Sequence, residues 1–244
     1  ALLAGRDIGM DFAGQGGWSM YHGDDVPGFP AHPHRGFETV TIVREGLVDH
    51  ADSLGASARY GEGDVQWLTT GRGVQHGEMF PMVHEDRDNP LDLFQLWLNL
   101  PAKNKMADPD FTMFWGDNIP HFTRTDEQGR RSDVEVIAGN YVPTDGSATV
   151  QALSPPPNSW ASEPGADVAI WLITLDAGAE LTLPAGTSVA RRAIYLVKGP
   201  TLTVDQTRFH QRVMVEVQAD QPLPISNDGA ETATVLVLQG KPIG

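Results

Sequence analysis

Two pairs of metal-competent side chains stand in the first third of the sequence, and in each pair one residue separates the two. His32 and His34 lie in His32-Pro33-His34-Arg35-Gly36-Phe37-Glu38-Thr39, and His76 and Glu78 close Gly71-Arg72-Gly73-Val74-Gln75-His76-Gly77-Glu78. Residues i and i+2 of an extended strand project from one face, so each pair can point into a common cavity. Two such strands folded together bring three imidazoles and one carboxylate around a single ion. This donor set is intermediate in softness and suits Fe, Mn, Co, Ni, Cu or Zn, whereas Ca and Mg fit it poorly. On an octahedral ion it leaves two adjacent positions open, room for a bidentate substrate or for a substrate and O₂. Around tetrahedral zinc the same four groups fill every position and the site is inert. Either pair alone is a weak signal; two pairs in a strand-rich context carry more.

Other residues are placed relative to this cluster. His50 and Asp52 form a third i, i+2 pair, expected to orient a ligand imidazole from behind or to shuttle a proton. Glu38 lies four residues after His34; on an unbroken strand it shares that residue's face and becomes a hydrogen-bond partner near the site. Trp67, Met79, Phe80 and Trp97 are candidates for an apolar wall against a flat aromatic molecule, although aromatics on strands more often fill a core. Gln95 faces the same side as Trp97 by strand alternation. Gly71-Arg72-Gly73 reads as a tight turn that aims His76, because no strand–helix junction makes it a dinucleotide loop. No Gly-x-Ser-x-Gly elbow supports hydrolase chemistry.

The elements that must hold these residues are short strands. With 26 Gly and 18 Pro in 244 residues, turn formers are frequent. Thr39–Val43 is β-branched and runs into a Glu45-Gly46 turn; Leu47–Asp52, 64–70 and 91–98 continue the rhythm. A polar turn at 126–130 joins two short strands, and 153–159 is a stiff Pro-rich segment. Strands then resume at 168–175, Glu180–Leu183, 193–197, 213–217 and 233–238. Aligning 38–46 with 191–199 reveals a weak internal repeat that puts Ala185 and Thr187 in the places of His32 and His34, with His210 standing alone. The expectation is an all-β chain of two tandem jelly-roll-like barrels face to face, residues 1–115 with the metal ligands and residues 116–244 without them.

Composition excludes several roles. There are 17 Lys and Arg against 32 Asp and Glu, a net charge of −15, which repels nucleic-acid phosphates and anionic membranes. The absence of cysteine removes disulfides, thiolate ligands and a Cys nucleophile, and fits a reducing compartment. No apolar run approaches the ~20 residues of a membrane-spanning helix, and Ala1-Leu2-Leu3-Ala4 is too short for a signal-peptide core. A cytoplasmic protein is expected.

The sequence also resembles the pirin family of two-cupin proteins. The resemblance rests on 32–39, on Gly-Asp-Val-Gln-Trp at 63–67, and on Gly-Arg-Gly-x-x-His-x-Glu-Met at 71–79. It extends to 95–103 and to Pro155-Pro156-Pro157-Asn158-Ser159-Trp160-Ala161. It implies iron as the usual metal, held by His32, His34, His76 and Glu78, and a C-terminal barrel without metal. It also implies one of two activities. One is oxidation of quercetin-like flavonols with O₂, Glu78 or a neighbouring carboxylate taking the substrate proton. The other is an iron-dependent, redox-sensing role bound to a regulatory protein partner. The opening at Ala1 rather than Met, and the stop soon after Leu238–Ile243, imply further residues at both ends in family members.

Overall fold

The computed structural model describes residues 27–210 and 212–243. The turn formers at Gly14–Gly17 and Gly23–Pro27 read as loops in the sequence, and all of these but Pro27 lie outside the described residues. The chain divides into two compact units, one ending at Asp117 and the other beginning at Asn118.

The first unit contains β1 (Gly28–His34), β2 (Phe37–Glu45), β3 (Leu47–Asp52), β4 (Ser57–Gly61), β5 (Val65–Thr69), β6 (Val74–Met79), β7 (Asp92–Asn99) and β8 (Asp110–Phe114). They form two four-stranded antiparallel sheets, in the orders β1-β6-β3-β4 and β7-β2-β5-β8. One end of the barrel is apolar: Val43, Val48, Tyr60 and Phe80 form a buried cluster with Phe29, Leu91, Leu93 and Met113 packed against it. Burying each of these aliphatic or aromatic side chains contributes about 1.5–3 kcal/mol. Phe29 joins this cluster to the imidazoles, its ring 5.4 Å from that of Phe80 and 6.3 Å from that of His32, so the cluster forms a packed floor beside them.

The second unit contains β9 (His121–Thr125), β10 (Arg131–Ala138), β11 (Ala169–Leu175), β12 (Glu180–Leu183), β13 (Arg191–Lys198), β14 (Thr201–Val204), β15 (Thr207–His210), β16 (Val213–Gln218), β17 (Leu223–Ser226) and β18 (Ala233–Gly240). Its sheets run β12-β17-β14-β15 and β16-β13-β18-β11-β10-β9. Read from β12 onward, this is the order of β1 to β7 over again. Even an irregularity repeats: the β2–β7 register slips between Val43 and Glu45, and the β13–β18 register slips between Leu196 and Lys198.

The strand pairing corrects one detail of the repeat. Leu183 lies opposite Leu223 where the first unit sets His32 opposite His76, and Val204 lies opposite Ile225 where it sets His50 opposite Glu78. Ala185 and Thr187 instead fall in the connection from 184 to 190, which is longer than the two-residue corner after His34; the ungapped alignment slips there. The interior of the second barrel is aliphatic, with Leu181, Leu183, Ile194, Leu202, Val204 and Ile225 all buried. His210 sits exposed on the edge strand β15. No helix among the described residues is long and apolar enough to cross a membrane.

Candidate metal centre

β6 lies between β1 and β3, and this position gathers the cluster. Across one edge His76 pairs with His32; across the other it pairs with Asp52, and Glu78 pairs with His50. A bulge in β1 between Phe29 and His32 re-aims the end of that strand. Two turns are tied together beside it. Gly36 N–H donates to Gly71 O at 2.8 Å, and Thr70 Oγ1–H donates to Phe37 O at 2.6 Å. Gly71 has φ 47°, and a Cβ there would stand 2.1 Å from the carbonyl oxygen of Ala107, so only glycine fits. The Gly71-Arg72-Gly73 turn thus fixes the approach of both ligand pairs.

Three imidazole nitrogens converge. His32 Nε2 lies 3.0 Å from His34 Nε2 and 3.1 Å from His76 Nε2. His32 Nδ1 donates to Pro30 O at 2.7 Å, which places its proton on Nδ1 and leaves a lone pair on Nε2. Cis donors about 2.1 Å from a common cation stand about 3.0 Å apart, the spacing found here. The donor set therefore fits a metal. Burial lowers His34 to about 4 and His76 to about 3, and neighbouring imidazoles push in the same direction. Both rings are neutral at pH 7, as ligation requires.

Glu78 is buried, its Oε2 accepting from Gln95 Nε2 at 3.0 Å, with the Tyr60 hydroxyl also beside its carboxylate. Burial raises its carboxyl above the ordinary range, and the Gln95 hydrogen bond opposes that rise. A buried carboxylate is costly unless charge or hydrogen bonds compensate it. The ligating atoms of His32, His34 and His76 form one close group, and those of His50, His76 and Glu78 form another. His76 belongs to both, and Glu78 stands on the His50 side. His50 Nε2 lies 3.3 Å from Asp52 Oδ2, so this pair is brought behind His76.

At the mouth, Trp97 is 67% exposed. Its ring lies 5.8 Å from that of His34 and 4.9 Å from that of Phe37, and its Nε1–H donates to Gln95 Oε1 at 3.4 Å. Inside, Thr39 Oγ1 and both amide atoms of Gln66 are buried with no hydrogen-bond partner, and the Tyr60 hydroxyl lies beside Thr41 and Glu78. Such polar walls suit a polar guest or ordered water.

The expectation for Glu38 fails, while Trp67 and Phe80 take the core role that strand aromatics more often have. Glu38 accepts from Trp67 Nε1 at 3.0 Å and from Thr69 Oγ1 at 2.7 Å, on the face of β2 opposite Thr39 and Thr41. The corner at Gly36, with φ 76°, breaks the alternation between His34 and Glu38. Trp67 accompanies Glu38 on that far face, Phe80 belongs to the apolar floor and Met79 is exposed. Of the four aromatic-wall candidates, Trp97 alone borders the imidazoles.

The family profile described as Pirin matches residues 10–98. A Pseudomonas aeruginosa protein provisionally named a quercetin 2,3-dioxygenase is 35% identical over 221 residues, covering 88% of this chain and 68% of its own length. A pirin-like protein of Caulobacter vibrioides is 32% identical over 225 residues, covering 91% of this chain and 71% of its own. The chain belongs to the pirin family. Among solved structures, quercetin 2,3-dioxygenase from Acinetobacter baumannii superimposes with a TM-score of 0.71 at 30% identity, covering 91% of this chain and 70% of that one. The two-cupin architecture is therefore that of pirins.

Several residues of this pirin site escape sequence reading. Phe37 borders the ring of His34 and Phe111 that of His50, each at 5.0 Å, and Tyr60 and Gln66 line the interior. A signal existed for some of them: Thr39 and Thr41 alternate on β2 opposite Trp97 and Gln95, a polar face inside a buried strand.

Proposed function

We propose that this pirin is a mononuclear iron dioxygenase acting on a flavonol such as quercetin, with His32, His34, His76 and Glu78 holding the metal. The convergence of three Nε2 atoms beside a buried carboxylate carries this reading. The quercetin 2,3-dioxygenase names of a relative and of a solved structure at 30% identity or more support the reaction class. The donor set also accepts Zn, Mn, Ni, Co or Cu, and iron is preferred because the chemistry needs O₂.

When bound, the iron supplies Lewis acidity and electron exchange with O₂. The chain's own residues do the rest. Trp97 and Phe37 present aromatic faces on which a planar ring stacks at the mouth. Glu78 takes the proton of the substrate hydroxyl; burial raises its basicity toward the range useful for a general base near neutral pH. The apolar floor keeps bulk water from the reacting atoms.

The test is aerobic loss of flavonol by protein reconstituted with Fe(II), with iron content measured on the same sample. Turnover in the iron-loaded protein, with Glu78→Gln retaining iron but losing turnover, is the expected result. Full iron without flavonol loss overturns it and favours the regulatory, partner-bound role.

A further inference from the structure

We infer that His50 and Asp52 are positioning residues that lock His76 into the tautomer whose Nε2 faces the other two imidazoles. The inference rests on the proposed role of His76 as a ligand and adds two residues that touch neither metal nor substrate.

Proton placement follows the chain of contacts. Asp52 is an acceptor on both oxygens: Oδ1 takes the backbone N–H of Leu54 at 2.8 Å and of Ala56 at 3.1 Å, and Oδ2 lies 3.3 Å from His50 Nε2. A carboxylate there demands the proton on His50 Nε2, which leaves His50 Nδ1 as a lone pair. That lone pair lies 3.3 Å from His76 Nδ1. Two lone pairs would repel at that distance, and two would also repel between His76 Nε2 and His32 Nε2 at 3.1 Å; a cation among the Nε2 atoms relieves only the second clash, so with metal bound His76 Nδ1 carries the proton and donates it. His76 Nε2 is then the free donor atom, 3.1 Å from His32 Nε2. The side chains of His50 and Asp52 are both fully buried, so water does not compete for these bonds. Strand register makes the arrangement rigid, because Asp52 is the cross-strand partner of His76 and His50 that of Glu78.

A rival use of these atoms is a second cation held by His50, His76 and Glu78. It requires His76 to bind through both nitrogens at once, hence to lose its last ring proton. A neutral imidazole has one lone pair to offer, and the Asp52 chain spends His50's Nδ1 on a hydrogen bond.

The experiment is ¹⁵N imidazole NMR on the full chain loaded with Zn(II), together with Zn(II) affinity from chelator competition. His76 is expected as the Nδ1–H form with an unprotonated Nε2. His50→Phe, which removes the acceptor, mixes the tautomers and weakens Zn(II) binding roughly 10–100-fold. His50→Gln, which offers an amide oxygen to His76 Nδ1–H, recovers most of that loss. An Nε2–H form of His76 in the unaltered protein, equal affinity in His50→Phe, or two Zn(II) per chain overturns the inference. The Zn(II)-loaded spectrum does not depend on turnover. A correct tautomer without flavonol oxidation sinks the dioxygenase reading alone, whereas oxidation with the reverse tautomer sinks the relay alone.

Discussion

Gln95 on β7 reaches across the barrel interior from one sheet and donates to Glu78 on β6 of the other, at 3.0 Å. The same amide accepts from Trp97 Nε1 through its oxygen at 3.4 Å. An exposed aromatic at the mouth is thereby coupled to a buried carboxylate. Removing the amide, as in Gln95→Leu, leaves Glu78 buried with less support, and a hydrogen bond to a charged group is worth about 1.5–3 kcal/mol. Its carboxyl then rises further above the ordinary range, and protons compete better with metal. Metal loading measured against pH should shift its midpoint upward in Gln95→Leu; an unshifted curve would show that the bond does not govern Glu78.

Trp97→Ala removes the platform while leaving the imidazoles in place. Aromatic pairing is worth about 0.5–1.5 kcal/mol beyond area burial, so KM for a flavonol should rise several-fold while iron content stays the same. Steady-state kinetics with parallel metal analysis checks this. A fall in kcat with unchanged KM would assign Trp97 a different role.

Much of this arrangement was legible in the sequence. Strands β2, β5, β11, β13 and β18 carry β-branched or apolar runs, and β3, β7, β12 and β16 carry shorter or alternating ones. What the sequence hid were short strands with little pattern. β4 and β15 are edge strands rich in polar residues, and β17 carries Pro224. The Glu38 expectation failed for a different reason. Alternation holds only within one strand, and a single left-handed glycine at the corner resets which face follows.

The imidazoles make the metal-free protein sensitive to acid. His34 and His76 titrate at about 4 and about 3 in the folded chain, against an ordinary imidazole value of 6.5. As pH falls below 6.5 the unfolded chain takes up protons that the folded chain refuses. Stability is therefore lost through the window from 6.5 down to about 4, by up to about 1.4 kcal/mol per pH unit for each imidazole. Urea midpoints of the metal-free protein at pH 7.5, 6.5 and 5.5 should fall in that order. A His34→Gln/His76→Gln variant should show a shallower decline; an identical slope would mean that other groups dominate.

The Gly71 turn predicts a paired result. Gly71→Ala places a Cβ against the Ala107 carbonyl in a left-handed conformation worth about 1–2 kcal/mol of strain by itself. The turn that aligns both ligand pairs must shift, so thermal stability and metal affinity fall together. Gly129→Ala provides the contrast: φ is 78°, nothing lies within 4 Å of the added Cβ, and the turn belongs to the second unit. It should lower Tm modestly and leave metal affinity unchanged. Equal metal affinity in both variants would detach the Gly71 turn from the centre.

The central claim is that one ion is shared by side chains drawn from β1 and β6. Anaerobic equilibrium dialysis against Fe(II), with bound metal determined by elemental analysis, tests it most directly. The account predicts one iron per chain in the unaltered protein and less than a tenth of that in His76→Ala at the same free Fe(II). Retention of a full equivalent by a folded His76→Ala would contradict it.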